Sequence, residues 1–504
     1  MNSETRQGIT KLETGIAGFD AISNGGIPKG RTTLLTGTAG SSKTVFAVQY
    51  LACGITLKNE SCVFVTFEET PEDIRQNMLS FGWNIAEWEA SGHWVFVDIS
   101  PRPEEQPILS GEFDLGALLA RIEFAIEKIG ASRISIDSLG AIFGKFENQY
   151  LVRSELLRIS VALKKSGVTA LMTAERKHEY GDIARHGIEE FVADNVIILR
   201  NVLEAESRRR TMEILKFRGT DHQKGEHPFS IVADGGIVGV PLSTVHLNHR
   251  SSHSRISSGT SKLDTMCGGG FFRDSIVLIS GATGTGKTLM ATTFIGGAGE
   301  NERSLFFAFE ESRDQLFRNA EGWGVKFEEM EADGSLKVIC VYPETIGLEE
   351  HLIVMKKAIN EFKPTRIAVD SLSALERGVT TKSYREFVIG LTSFIKQEEI
   401  AGVFTAVTPS LMGGASVTEA HISTITDSII LLRYVELFGE ISRGIAVLKM
   451  RGSFHEKEIR EFIINDTGMN VGKPFRNITG ILNGTPQYHQ TQESERLREM
   501  FEDS

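Results

Sequence analysis

The sequence predicts a duplicated α/β protein: two tandem P-loop NTPase domains, each a mainly parallel sheet flanked by helices. Three observations predict it. A glycine-rich loop twice follows a short apolar strand, and features of the first half recur in the second at a nearly constant separation. In both halves, apolar runs rich in β-branched and aromatic residues alternate with helical segments.

The first loop is Gly37, Thr38, Ala39, Gly40, Ser41, Ser42, Lys43 and Thr44, after the strand Arg31–Thr36. The second is Gly281, Ala282, Thr283, Gly284, Thr285, Gly286, Lys287 and Thr288, after Ser275–Ser280. Such a loop bends successive backbone N–H groups around the phosphates of a nucleoside triphosphate. Its lysine reaches the β- and γ-phosphates, and its last hydroxyl ligates Mg²⁺. The second copy fits the full pattern. The first has Ser42 where the pattern asks for glycine; if that position needs a positive φ, serine costs about 1–2 kcal/mol, without removing Lys43 or Thr44.

The loop lysines stand 244 residues apart and the acid pairs Glu68-Glu69 and Glu310-Glu311 stand 242 apart. Asp137 and Asp370 are separated by 233, as are the strings opening at Lys216 and Lys449. The chain therefore divides into a first domain over 1–240, an exposed linker over 241–255, a second domain over 256–485 and a tail over 486–504. The separation drops between residue 98 and Asp137, which gives the first domain nine extra residues within Ser100–Gly111, a stretch rich in loop formers.

Each element then has a reason. Val63–Phe67 runs into Glu68-Glu69, and Leu305–Phe309 into Glu310-Glu311; such runs suit buried parallel strands. Arg133–Ile136 ends in Asp137 and Arg366–Val369 in Asp370, while Leu115–Ile129 and Leu348–Phe362 read as the helices between. Ser428–Leu432 reads as a further strand. An aspartate ending an apolar strand holds Mg²⁺ beside the loop threonine. A glutamate at an adjacent strand end orients or deprotonates the nucleophile attacking the γ-phosphate. Two adjacent carboxylates also repel, which raises one of them toward a useful base.

Composition is that of a globular protein, 41% hydrophobic and 24% charged, with no apolar run of membrane-spanning length and no signal-peptide pattern. Cys53, Cys62, Cys267 and Cys340 lack metal or disulfide spacing, so a reducing cytoplasm is expected. Fifty-four basic against 66 acidic residues, net −12, disfavours the main alternative, a nucleic-acid-dependent ATPase of the recombinase or helicase type, because a nucleic-acid groove needs many cationic contacts. The run Arg208-Arg209-Arg210, flanked by Glu204 and Glu206, reads as a solvated face.

From about Gly15 to Gly484 the chain resembles the KaiC family, double-lobed RecA-like ATPases and autokinases of the cyanobacterial circadian clock. The resemblance rests on Phe64–Pro71, Cys267–Phe272 and His421–Asp427. It implies a homohexamer with ATP and Mg²⁺ between neighbouring subunits, a slow ATPase in the first lobe and, in the second, phosphorylation of Ser423 and Thr424. It also implies roles. Thr44, Asp137, Thr288, Glu310 and Asp370 would lie at the metal; Glu68 would position the hydrolytic water and Glu310 act as base, with Glu69 and Glu311 assisting. Lys216, Phe217, Arg218, Thr220 and His222, and likewise Lys449, Met450, Arg451, Gly452 and Lys457, would reach ATP held mainly by the adjacent subunit. Arg377 and Arg443 would lie near the second nucleotide, and Ser80 and Trp323 near the adenines. Without the resemblance, Ser423-Thr424 would be an ordinary polar pair before a strand.

In the family, a KaiB protein docks where Pro101–Gly111 falls here. KaiA acts on a loop matching about Thr479–Gln490, and the tail after Pro486 diverges from the clock protein's, so phosphorylation independent of KaiA is expected.

Overall fold

The computed structural model describes residues 9–100, 115–143, 149–184, 192–204, 207–240, 251–408, 424–437, 439–465, 468–476, 478–482 and 487–488. The chain divides into two compact units, Met1–Thr244 and Val245–Ser504. Pro101–Gly111, most of the linker, Ser423 and the tail beyond Tyr488 lie outside the described residues.

The first unit carries β1 (Thr32–Gly37), α1 (Lys43–Lys58), β2 (Cys62–Thr66), α2 (Pro71–Leu79), β3 (Trp94–Asp98) and α3 (Leu115–Ile129). It continues with β4 (Arg133–Asp137), α4 (Gln149–Lys165), β5 (Thr169–Glu175), β6 (Asn195–Glu204), β7 (Ser207–Phe217), β8 (Glu226–Val232) and β9 (Gly236–Gly239). These strands form one nine-stranded sheet in the order β9-β8-β7-β6-β1-β5-β4-β2-β3. From β6 to β3 every pairing is parallel; β7, β8 and β9 extend the other side antiparallel.

The second unit repeats this. It has β10 (Ile276–Gly281), α5 (Lys287–Gly296), β11 (Ser304–Ala308), α6 (Arg313–Gly322), β12 (Leu336–Cys340), α7 (Leu348–Phe362) and β13 (Arg366–Asp370). Then follow α8 (Thr381–Gln397), β14 (Ala401–Val407), β15 (Ser428–Leu437), β16 (Glu440–Met450), β17 (Arg460–Asn465) and β18 (Gly468–Pro474). The order β18-β17-β16-β15-β10-β14-β13-β11-β12 is that of the first sheet, element for element.

Why these runs become central strands is visible in β2. Val63 and Val65 face a core with Leu118, Leu119, Ile122 and Ile126 of α3, whereas Cys62 and Phe64 face one with Phe46, Tyr50 and Leu51 of α1. Both faces are covered, so the sequence runs apolar instead of alternating with polar residues. Each helix after an acid pair starts on a side-chain cap. Thr70 accepts from Asp73 N ahead of Pro71, and Ser312 forms a capping box with Gln315.

The predicted helices Leu115–Ile129 and Leu348–Phe362 form with those bounds. The strand expected over Ser428–Leu432 runs five residues further, paired with β16 along its length. The arginine run needs correction. Arg208 is exposed, but the consecutive Arg209 and Arg210 are both half-buried in the β6–β7 hairpin, with Arg209 3.9 Å from Glu204. All four cysteines are unpaired. Among the described residues, no helix is long and apolar enough to cross a membrane.

Candidate functional site

Each phosphate loop is the turn between a central strand and its helix, β1 into α1 and β10 into α5. Gly40 and Gly284 take φ of +74° and +79°. The residue before each lysine also lies in the left-handed region, Ser42 at φ +75° and Gly286 at +105°. The condition under which Ser42 costs energy is therefore met. Lys43 Nζ donates to the carbonyls of Gly37 and Thr38 at 3.1 and 3.0 Å, and Lys287 Nζ to that of Ala282 at 2.9 Å. Burial lowers the pKa of both lysines, against the pull of Asp137 and Asp370.

The strand-end acids meet the loop threonines. Thr44 Oγ1 donates to Asp137 Oδ2 and Thr288 Oγ1 to Asp370 Oδ2, both at 2.7 Å. A second threonine from the adjacent strand, Thr173 or Thr405, donates to the other oxygen of each aspartate. Asp370 is buried, and burial raises its pKa against these two hydrogen bonds. A hydroxyl and a carboxylate at this distance are hard oxygen donors of the kind Mg²⁺ takes from protein, the rest of its shell being water and phosphate; these residues fit that ion.

Glu68 and Glu310 sit beside those aspartates because Phe67 N and Phe309 N donate to the carbonyls of Asp137 and Asp370. Ser138 Oγ donates to Glu68 Oε1 at 3.1 Å, and Ser371 Oγ to Glu310 Oε2 at 2.9 Å. Glu310 has a further partner, Arg377, at 2.5 Å. The second member of each pair accepts from an asparagine of the following helix, Glu69 from Asn77 and Glu311 from Asn319. It is this member whose carboxyl is raised. Burial is the main cause, the strand-end aspartate (Asp137 or Asp370) comes next, and the neighbouring glutamate contributes less.

At the loop tips the two lobes differ. Glu179 accepts from Thr38 Oγ1 at 2.5 Å in the first. In the second, Tyr434 hydroxyl donates to Thr283 O and Arg443 Nε to Gly284 O. Ser80 ends α2, where its carbonyl accepts from Asp234 N; half-buried Trp323 ends α6 and packs on the second core.

The remaining predicted residues gather elsewhere. Lys216 pairs with Val196, which lies beside Leu34 near the start of β1, and its Nζ donates to Ala193 O. Arg218 lies 3.7 Å from Asp194, which also holds Thr32 and Lys164. Phe217 is buried against the ring of His222, and Thr220 follows the Gly219 turn. Lys449 donates to Thr426 O; Arg451 lies 3.9 Å from Asp427 and donates to Thr424 O at 2.9 Å. Met450 is buried, Gly452 turns at φ +69° and Lys457 is exposed. From Thr32 to Gly37, or Ile276 to Gly281, is about 16 Å of strand. Within a lobe, these cations and Thr424 are therefore at the opposite end of the sheet from the phosphate loop and the glutamates.

The family described as "ATPase: KaiC" matches residues 12–243 and 256–475. The chain belongs to the KaiC family. The chain is 64% identical, over all of both chains, to the circadian clock protein KaiC3 of Synechocystis sp.. It is 56% identical to the circadian clock oscillator protein KaiC of Thermostichus vulcanus, covering 95% of this chain and 92% of that one. Against the KaiC of Synechococcus elongatus it is 55% identical, covering 96% and 93%. As a KaiC-family ATPase it binds ATP, and the two matched segments each contain one phosphate loop.

Sequence reasoning missed Ser138, Ser371, Thr173, Thr405, Asn77 and Asn319. Each is a small polar residue repeated in both lobes, and recurrence at the repeat spacing was the signal that could have found them.

Proposed function

We propose that this KaiC-family chain is an ATP-hydrolysing autokinase, with slow hydrolysis in the first lobe and transfer to Ser423 and Thr424 in the second. The carrying observation is the separation within each lobe: loop, metal-side pair and glutamates at one end of the sheet, Lys-x-Arg and Thr424 at the other. A second copy of the chain supplies the missing end, so ATP lies at subunit boundaries of a homohexamer. Thr44 and Asp137, and Thr288 and Asp370, would hold Mg²⁺, which would neutralise phosphate charge. Glu68 takes the proton of a water. Glu310, held by Ser371 and Arg377, takes the proton of the acceptor hydroxyl of a neighbour. Arg218 and Arg451 meet the γ-phosphate across the boundary, where such an arginine is worth roughly 10³–10⁵ in rate.

The same reading takes residues 1–240 and 256–485 as the working domains, in the cytoplasm, with a KaiB-like partner at Pro101–Gly111 and no requirement for KaiA. Incubation of the protein alone with Mg²⁺ and γ-labelled ATP, with site mapping and measurement of released phosphate, tests it. Label is expected on Thr424 and Ser423. Replacing both Glu68 and Glu69 by glutamine is expected to lower phosphate release by about 10²-fold or more. Label confined to other residues would overturn the kinase assignment, and unchanged release would overturn that of Glu68.

A further inference from the structure

The two phosphate loops differ in one neighbour that the paired motifs leave unexplained. Glu175 ends β5 in register with Gly37. At the matching place on β14, Val407 is in register with Gly281. The strands correspond residue for residue here, since Thr173 donates to Asp137 as Thr405 does to Asp370. Carboxylate has thus been exchanged for isopropyl at a fixed place. A second exchange accompanies it. A Cβ on Gly140 would stand 3.9 Å from Glu175 Cγ and 3.5 Å from Ser138 Oγ. Ser373 occupies that position in the second lobe, and its Oγ accepts from Val407 N at 2.8 Å. Gly140 leaves the space beside the carboxylate open; Ser373 fills it.

Glu175 is half-buried, and it and the Ser138 hydroxyl that holds Glu68 both border the space left open at Gly140. The Lys43 ammonium feels Asp137, Glu175, Glu68 and Glu179, whereas Lys287 feels Asp370 and Glu310. The loop lysine of the first lobe therefore has two carboxylate neighbours without a counterpart in the second, Glu179 at Thr38 and Glu175 at the end of β5 beside Gly37.

We propose that Glu175 orients the hydrolytic water of the first lobe, and that Val407 denies water this partner in the second, leaving attack to a hydroxyl. The inference rests on the assignment of hydrolysis to the first lobe with Glu68 as proton acceptor. The water oxygen bonds to the γ-phosphorus as the bond to the β,γ-bridging oxygen breaks. ADP leaves with that electron pair, one proton of the water passes to Glu68, and Glu175 accepts a hydrogen bond from the other hydrogen without a change in its own bonding. A carboxylate can do this beside a loop lysine; an isopropyl group cannot accept a hydrogen bond.

Steady-state phosphate release by the full-length chain tests the proposal. Glu175→Gln keeps the shape and is expected to lower kcat by about 10²-fold, the scale of misplacing a reacting group by an ångström, with KM for ATP changed by no more than about twofold. Glu68→Gln/Glu175→Gln should lose little beyond Glu68→Gln alone, because both act on one water. In the Glu68→Gln background, Ser373→Gly/Val407→Glu should raise phosphate release and lower the label on Thr424. An unchanged kcat for Glu175→Gln beside a strongly impaired Glu68→Gln overturns this inference and leaves the function proposed above standing. Unchanged release in both overturns that function itself. A fall in kcat matched by a lowered melting temperature, with losses additive to those of Glu68→Gln, assigns Glu175 to packing and also overturns the inference.

Discussion

Replacing Ser42 by glycine removes a side chain from a backbone that disfavours one. Ser42 holds φ +75° and ψ 32°, and its hydroxyl caps nothing at the start of α1. The left-handed conformation costs an L-residue about 1–2 kcal/mol. Glycine relieves this but gains freedom in the unfolded chain, which offsets about 0.4–1 kcal/mol. The net expectation is a first unit more stable by about 0.5–1 kcal/mol, a rise in its melting temperature of about 1–4 °C for a unit of this size. Calorimetry on the full chain, with the transition of the first unit followed separately, measures it. The reverse change gives the control. A Cβ on Gly286 would meet Phe462 Cε1 at 2.7 Å and Ile464 Cδ1 at 3.0 Å, so Gly286→Ser adds a steric displacement to the backbone strain and should lower the second transition by more than Ser42→Gly raises the first. Phosphate release should be equal or higher in Ser42→Gly. A lower melting temperature, or a severe loss of activity, would show that the serine side chain supplies an interaction larger than its strain and refute the reasoning.

Thr173→Val keeps the strand and its volume but removes the donor to Asp137. It should destabilise the first unit by about 1–3 kcal/mol and raise the Mg²⁺ concentration needed for half-maximal phosphate release; an unchanged Mg²⁺ requirement would remove Thr173 from the site. Burial raises the Glu311 carboxyl above its ordinary 4.5, so the folded state binds the proton more tightly than the unfolded one. The stability this lends is full below about pH 4.5 and is lost as pH rises through the raised value. Glu311→Gln should therefore melt with the parent at pH 4 and above it at pH 7, and a variant that melts lower at pH 7 would reverse the assigned cause.

Much of this was legible in the sequence because it is local or repeated. Helices Leu115–Ile129 and Leu348–Phe362 follow from their spacing of apolar residues, and Thr44 and Asp137 meet because Thr44 opens the helix after the phosphate loop while Asp137 ends a predicted parallel strand. What was not legible depends on which residues share an end of the sheet. Thr173 and Thr405 read as ordinary β-formers, since nothing in a threonine says that its neighbour strand ends in an aspartate it will donate to. Glu179 reaches Thr38 from 141 positions away. The outer half of β15 is polar enough to have been left out of its strand, although pairing with β16 carries it to Leu437. The acid pairs read as mutually perturbing, but Glu69 and Glu311 turn to asparagines on the following helix. Their raised carboxyls owe more to the cover of protein than to the neighbouring charge.

One turn in the chain accounts for the distribution of chemistry in each lobe. β6 runs parallel to β1 and finishes at the phosphate-loop end, where Gly37 is in register with Leu199. The β6–β7 hairpin reverses direction there, so β7 delivers Lys216 and Arg218 to the end where β1 begins. β15 and β16 do the same for Lys449 and Arg451. A parallel strand in place of β7 would have carried these cations to the lobe's own phosphates. The antiparallel strand instead gives each lobe two unlike ends, and bringing Arg451 to Lys287 within one lobe would require β16 to leave a sheet whose inner residues, Ile445 and Val447, are buried in the core. Registers this tightly set by burial do not slip. In the proposed reading the cations serve a loop other than the one in their own lobe, and this separation is the geometric reason that phosphoryl transfer there runs between copies of the chain.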